Sequence, residues 1–279
     1  MIPENLINLD IDRWLLEDVP YSDLTSSFLI DKPVNGYIFS KSQGTVAGIY
    51  VAEKIFNRCG VTTEIIVQDG THIDTKTRVL EIHGLASKIL LAERISLNIL
   101  SHMSGIATQT WDLVKLLREN NSEARVAATR KTLPGLRKYQ KWAVEIGGGD
   151  THRMSLSDMV LIKENHISSA SSIKELLQRV KNTLSFSKKI EIEVTNNEQA
   201  KEAAEFGVDI IMLDNYKPNE VSKAVSIIKE INANVLVEVS GNITEKNIVQ
   251  YAQSGVDIVS LGKLTHSVKA MDYSLLIKD

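Results

Sequence analysis

The chain has 279 residues and a net charge of −3, with 43% hydrophobic and 24% charged residues, which excludes a disordered or fibrous protein. An acidic balance with only 5% aromatics offers nucleic acid neither a basic field nor a stacking surface. The single cysteine, Cys59, excludes an intrachain disulfide, fits a reducing compartment and reads as a small buried hydrophobe. The opening MIPENLINLD has no basic stretch followed by an apolar one, and no apolar run approaches the length of a membrane span. A cytoplasmic protein of about two domains, with no membrane and no nucleic acid partner, is expected.

In chain order, Asn5–Glu17 has helical spacing, with Leu6, Leu9 and Leu16 on one face, and a turn follows at Asp18–Asp23. Between Gly36 and Gly84 the runs GYIFSK, TVAGIYV, VTTEIIVQDG and TRVLEIHG predict an antiparallel sheet with one inserted helix, Ala52–Arg58. Ala86–Leu117 predicts two helices broken at Ser104-Gly105. From about Ala124 the pattern changes. The runs RVAATRKT, DMVLIKEN, KKIEIEVTN, VDIIMLDN, NVLVEVSGN and VDIVSLG are β-branched, and amphipathic segments such as EQAKEAAEFG lie between the later ones. Apolar strands joined by helices mean a parallel sheet covered on both faces. Gly207–Ile211 (GVDII) recurs as Gly255–Val259 (GVDIV), which supports regular winding. Glu193, Asp214, Ser240 and Gly262 fall at the C-terminal ends of successive strands, where an α/β barrel carries its active site. The open doubly wound alternative lacks its glycine-rich fingerprint, and Gly147-Gly148-Gly149 has the wrong context for it.

Cationic residues concentrate between Arg125 and His166, with eight Arg or Lys against four acids. Arg125, Arg137, Lys138 and Lys141 read as a solvated surface. Arg130 and Lys131 end an apolar strand, and Lys163 follows Met159-Val160-Leu161-Ile162 within one, so it needs a counter-charge or a ligand. His152-Arg153 follow three glycines and complete a pocket suited to a multiply charged anion. His102 and His166 read at least as readily as structural histidines. Glu193 and Asp214, one βα repeat apart, can hold Mg²⁺ or face a developing positive charge; helix N-capping competes for Asp214. Ser240-Gly241-Asn242 and Leu261-Gly262-Lys263 offer backbone N–H groups to a phosphate. No HExxH, Cys/His cluster or Walker loop is present, so a tightly held transition metal is not expected.

The segments TRKTLPGLR (Thr129–Arg137), KWAVEIGGGDTHR (Lys141–Arg153), LIKENHI (Leu161–Ile167), EIEV (Glu191–Val194), MLDN (Met212–Asn215), EVSG (Glu238–Gly241) and LGKLTHS (Leu261–Ser267) together resemble the quinolinate phosphoribosyltransferase family. EDVPYSDLTS and ERISLNILSHMSGIAT extend the resemblance over nearly the whole chain. It implies an N-terminal α/β sandwich domain, 1–103, joined by the C-terminal tail 267–279, beside an incomplete seven-stranded parallel α/β barrel, 104–266, that carries the active site. The implied reaction joins quinolinate to phosphoribosyl pyrophosphate and releases pyrophosphate and CO₂ to give nicotinate mononucleotide in NAD biosynthesis. Mg²⁺ accompanies phosphoribosyl pyrophosphate, with no tightly bound organic cofactor, and a homodimer or homohexamer is implied. By motif position, Arg94 (from a neighbouring subunit), Thr129, Arg130, Lys131, His152, Arg153 and Lys163 would hold the substrates. Glu193 and Asp214 match the acidic pair near the ribose and Mg²⁺, and Lys131 and Lys163 join them as catalytic residues. Ser240, Gly241, Asn242, Gly262 and Lys263 match the phosphate loops. Ala128, Thr151 and Asn242 depart from the usual Asp, Asn and Gly, and the last would tighten the phosphate loop.

Two other readings compete. EDVPYSDLT also resembles the ModD-type proteins linked to molybdate transport, which would bind a different anionic ligand or transfer to one. A Schiff-base aldolase would use Lys163 as nucleophile but leaves Arg130, Lys131, Arg153 and the acidic pair without roles.

Overall fold

A computed structural model describes residues 2–29 and 31–278; Met1 of the opening segment, Ile30 and Asp279 of the tail lie outside the described residues. The chain divides into two compact units, one comprising Met1–Trp111, Thr132–Gly148 and Leu264–Asp279, the other Asp112–Lys131 and Gly149–Lys263. Among the described residues no helix is long and apolar enough to cross a membrane.

In the first unit, α1 (Glu4–Asp18) buries Ile7, Asp10 and Ile11. The leucines expected on its inner face are exposed, Leu16 by 65%. The competing stripe of Ile7, Asp10, Ile11 and Trp14 wins because it meets partners. Tyr139 donates its hydroxyl to Asp10 Oδ2 at 2.7 Å, Lys138 Nζ lies 2.6 Å from the same oxygen, and the Trp14 and Tyr139 rings are 5.2 Å apart. Lys138 and Lys141, both expected at the surface, are therefore misplaced by composition alone: Lys138 is ion-paired, and Lys141 is 0% exposed.

After α1 come β1 (Pro33–Ser40), β2 (Gly44–Thr45), α2 (Ile49–Arg58), β3 (Thr62–Ile65), β4 (His72–Ile73) and β5 (Arg78–Leu85). β1, β3 and β5 form the expected antiparallel sheet, and the tail strand Tyr273–Lys278 pairs with the free edge of β1. TVAGIYV is not a strand. Gly48 turns the chain at φ 93°, Asp69 Oδ1 accepts the Ile49 N–H at 3.0 Å, and α2 starts at once, three residues before the expected Ala52. Cys59, just past its end, is half-buried, and burial pushes its thiol pKa up.

The predicted break at Ser104-Gly105 is also absent, since α3 runs unbroken from Ala86 to Glu119. The pair serves docking instead. Ser104 Oγ accepts the Ala47 N–H at 2.9 Å and the Tyr273 hydroxyl at 3.1 Å. Gly105 leaves room for the tail backbone, because a Cβ there would collide with the Lys269 carbonyl oxygen and come within 2.9 Å of Ala270 Cα. α4 (Arg137–Ile146) completes this unit's helices of five or more residues.

The second unit alternates strands and helices: β6 (Arg125–Ala128), β7 (Val160–Ile162), α5 (Glu164–Ser168), α6 (Ile173–Thr183), β8 (Ile190–Val194), α7 (Asn197–Phe206), β9 (Ile210–Asp214), α8 (Pro218–Ile231), β10 (Leu236–Ser240), α9 (Ile248–Ala252) and β11 (Ile258–Leu261). The sheet is parallel throughout, in the order β6-β11-β10-β9-β8-β7. It has six strands among the described residues where seven were expected. The remaining position is a single bridge between Asp150 and Ala127, because His152 leaves the strand conformation at φ 51°. The GVD repeat has a physical basis. Asp209 exchanges its N–H and Oδ2 with Ile190 at the start of β8, and Asp257 does the same with Val237 in β10.

Replacing Gly105 with Ala tests the docking role. Helix propensity alone predicts a gain of about 1 kcal/mol. The contact with the tail predicts a net loss of about 1–3 kcal/mol, as overpacking does elsewhere. Urea unfolding of the variant decides the sign.

Candidate active site

All six parallel strands end at one cavity of about 590 Å³. A flat sheet would string those ends along an edge, so a shared cavity requires the sheet to curl, as an open barrel does. Register orders its wall. Glu193, Met212 and Glu238 lie side by side on β8, β9 and β10, and Asp214, Ser240 and Ser260 form the next row on the same face. All six line the cavity.

Cations come from the segments that follow the strands. Thr129, Arg130 and Lys131 continue from β6, and His152 and Arg153 lie between β6 and β7; all five line the cavity. Lys163 is the first residue after β7, not a residue inside it, and its side chain is 44% exposed. Its expected counter-charge is Glu193, with which it makes a close ion pair. Burial, then the neighbouring Arg130, push the Arg153 guanidinium pKa below its usual range.

Asp214 accepts a hydrogen bond at 2.9 Å from Asn215 Nδ2 and caps no helix, since Lys217 occupies the N-cap of α8. Asn215 also receives the Asn242 amide at 3.2 Å and donates its own N–H to the Ser240 carbonyl at 2.9 Å. The Ser240-Gly241-Asn242 loop is thereby fixed to the end of β9. Gly241, at φ 97°, is required there, because a Cβ would press into the Asn215 side chain.

Three expected residues lie outside the lining. Gly262 and Lys263 are not among the residues around this cavity, and Lys263 pairs with Glu245 at 3.4 Å. Arg94 is exposed on α3 and makes no ion pair among the described residues. Neither of the two uncertain histidines lines the cavity: His102 is bonded to Gln140 at 2.9 Å with its ring pKa pushed down by burial, and His166 accepts the Lys163 N–H at 2.9 Å.

Sequence reasoning missed Glu191 and Glu238, both 0% exposed. His152 Nε2 lies 3.2 Å from an oxygen of each, in hydrogen-bond geometry to Glu238. Burial pushes the Glu191 carboxyl pKa up. Their signal was present. A strand buried on both faces should be apolar throughout, so the first acid of IEIEV and the acid in the middle of LVEVS must point to an interior partner.

The chain matches the models of the quinolinate phosphoribosyl transferase N-terminal domain over residues 21–104 and C-terminal domain over 106–276. A protein of Methanocaldococcus jannaschii called a probable carboxylating nicotinate-nucleotide pyrophosphorylase is 46% identical over 271 residues, 95% of each chain. The human carboxylating nicotinate-nucleotide pyrophosphorylase is 32% identical, covering 99% of this chain and 93% of its own. The solved nicotinate-nucleotide pyrophosphorylase of Francisella tularensis superposes with a TM-score of 0.94 at 35% identity, covering 100% of this chain and 98% of the other.

The cluster of cations should bind inorganic diphosphate, with affinity falling as salt rises. Arg130→Ala or Arg153→Ala should each remove a charge-assisted contact of about 1.5–3 kcal/mol, weakening binding about 10- to 100-fold. Calorimetric titration measures this, and an unchanged affinity would take the guanidinium out of the anion site.

Proposed function

The chain belongs to the quinolinate phosphoribosyl transferase family, and on that premise we propose that it joins quinolinate to phosphoribosyl pyrophosphate in the cytoplasm. Nicotinate mononucleotide, pyrophosphate and CO₂ are the products. The observation that carries this reading is the gathering of Arg130, Lys131, His152, Arg153 and Lys163 with Glu193 and Asp214 in one cavity. The same reading divides the chain into a sandwich domain, 1–103 with 267–279, and a barrel domain, 104–266. The names of its relatives, carboxylating nicotinate-nucleotide pyrophosphorylases covered over nearly their whole length, support the transferase reading over the ModD-type alternative. The ion pair on Lys163 argues against a Schiff base, which needs an uncharged amine.

Two carboxylates on the pyridine and a leaving diphosphate bring several negative charges, which a fixed set of Arg and Lys side chains stabilises without a strong base. As the C1′–O bond to diphosphate breaks, the ribose gains positive character, and Glu193 and Asp214 face it. The pyridine nitrogen then bonds to C1′ and becomes cationic. The electron pair left by departing CO₂ flows toward that charge, and a proton takes the vacated carbon. No nucleophilic side chain is needed. Among the described residues Asp214 carries no cation, whereas Glu193 carries Lys163, so Asp214 is the hard oxygen donor that fits Mg²⁺ entering with the diphosphate. Bound there, Mg²⁺ would neutralise part of the diphosphate charge. Ser240, Gly241 and Asn242 hold the ribose 5′-phosphate. Arg94, exposed and without an ion pair among the described residues, reaches the cavity of a second copy in a homodimer or larger assembly.

Incubation with quinolinate, phosphoribosyl pyrophosphate and Mg²⁺ should release CO₂, and nicotinate should be used about 10- to 100-fold less well, for want of one charge-assisted contact. Lys163→Met should abolish turnover with an unchanged circular dichroism spectrum. Equal use of the two acids by the unaltered protein would overturn the quinolinate assignment. For assembly, mixing inactive Arg94→Ala and Lys163→Ala chains should restore partial activity in the heterodimer, because one site then escapes both lesions. No recovery in demonstrated heterodimers would confine Arg94 to its own chain.

A further inference from the structure

The reaction as set out above gives no part to Glu191 and Glu238. Both are fully buried, on neighbouring rows of the inner face, Glu191 one row deeper on β8 and Glu238 on β10. A buried carboxylate is costly without a partner, and two of them repel. Among the described residues the cation within ion-pair distance of them is His152, whose Nε2 lies 3.2 Å from Oε2 of each. With both carboxylates ionised an acceptor nitrogen would be repelled there, so Nε2 carries a proton. The other nitrogen, Nδ1, makes no hydrogen bond among the described residues, and His152 is one of the residues that line the cavity. The main chain is committed to this placement: His152 adopts φ 51°, and Asp150 Oδ1 accepts its N–H at 2.7 Å.

We propose that Glu191 and Glu238 are positioning residues that hold His152 as an imidazolium, so that its Nδ1–H is a permanent donor to a carboxylate of the pyridine substrate. The identity of that substrate rests on the function proposed above; the charge on the ring does not. Glu191 from β8 and Glu238 from β10 meet His152, Asp150 accepts from its backbone, and Arg153, Arg130, Asp214 and the Lys163–Glu193 pair share the cavity with it. Arg130, Arg153 and Lys163 oppose a charge on the ring. Burial opposes it too, yet the two carboxylates outweigh burial and push its pKa from 6.5 up to about 10. The charge is therefore present below that value and is lost as pH rises through it.

Histidine-labelled NMR on the whole protein reads this directly. The chain has six histidines, and His152→Asn identifies the signal of interest. In the unaltered protein that ring should stay an imidazolium between about pH 6 and 8.5, where a free histidine would lose its proton. In Glu238→Gln the midpoint should fall by at least about one pH unit, and Glu191→Gln should lower it too. The kcat/KM for quinolinate should then fall about tenfold per pH unit above the new midpoint, with the loss in KM, while the unaltered enzyme stays flat. A ring that titrates at or near 6.5 in the unaltered protein overturns the inference. So does an unchanged midpoint in folded Glu238→Gln, or a divalent transition ion that co-purifies on these three side chains. If neither glutamine variant folds, the titration of the unaltered protein decides alone. A neutral ring in a protein that consumes quinolinate sinks this inference and spares the transferase reading. An imidazolium in a protein that does not consume it sinks the transferase reading and spares the charge.

Discussion

A parallel sheet curled on itself has no solvent on its inner face until its strands end, and this constraint sorts the polar residues of the second unit by depth. Strand alternation puts Glu191 and Glu193 on the same face. The deeper one has no exposure, whereas the side chain of Glu193 is 16% exposed at the mouth. Glu238 and Ser240 repeat the arrangement on β10, and Met212 and Asp214 on β9. A carboxylate at the mouth can meet a ligand, but one below it must be compensated from within the protein. Glu191 and Glu193 are therefore different chemical objects, although the sequence writes them two residues apart.

The division between strands and loops follows from the same constraint. Acids occupy strand positions, where register fixes them to within a residue. The cations Arg130, Lys131, Arg153 and Lys163 come from the segments beyond the strand ends, where long stems place a charge while the backbone stays in the rim. Holding those segments takes unusual backbone: His152, Asn215 and Asn242 all have positive φ, at 51°, 57° and 54°. Non-glycine residues in that region cost about 1–3 kcal/mol each and persist where their surroundings over-determine them. Here the surroundings are identifiable: Asp150 for His152, and the Asn215–Asn242 exchange for the other two.

Much of this was legible in the chain because the signals are local. β-branched runs alternating with amphipathic segments gave the parallel sheet, and positions at strand ends gave Glu193, Asp214, Ser240 and the cations beside them. What was not legible depends on distant partners. The face of α1 was misjudged because three leucines outrank Asp10 in apolarity, and nothing near Asp10 reveals that Tyr139 and Lys138 will meet it. Ser104-Gly105 looks like a helix break in isolation, and only the tail backbone against Gly105 and the hydroxyl of Tyr273 on Ser104 explain the pair. Lys141 looked like surface because lysine usually is.

The three departures from the family pattern can be weighed on the same footing. Thr151 uses its hydroxyl on the backbone carbonyl of His152, at 3.2 Å, and so serves the strained residue beside it. Asn242 replaces a glycine where the chain needs φ 54°, a conformation that asparagine tolerates better than most residues, and its amide ties the loop to Asn215. That hydrogen bond is one that glycine could not make. Ala128 is the exception, because it removes a carboxylate. It is fully buried at the end of β6 and also borders the cavity. An acid there would stand next to the Arg130–Arg153 group and offset part of its charge. Ala128 brings no such charge to the cavity wall.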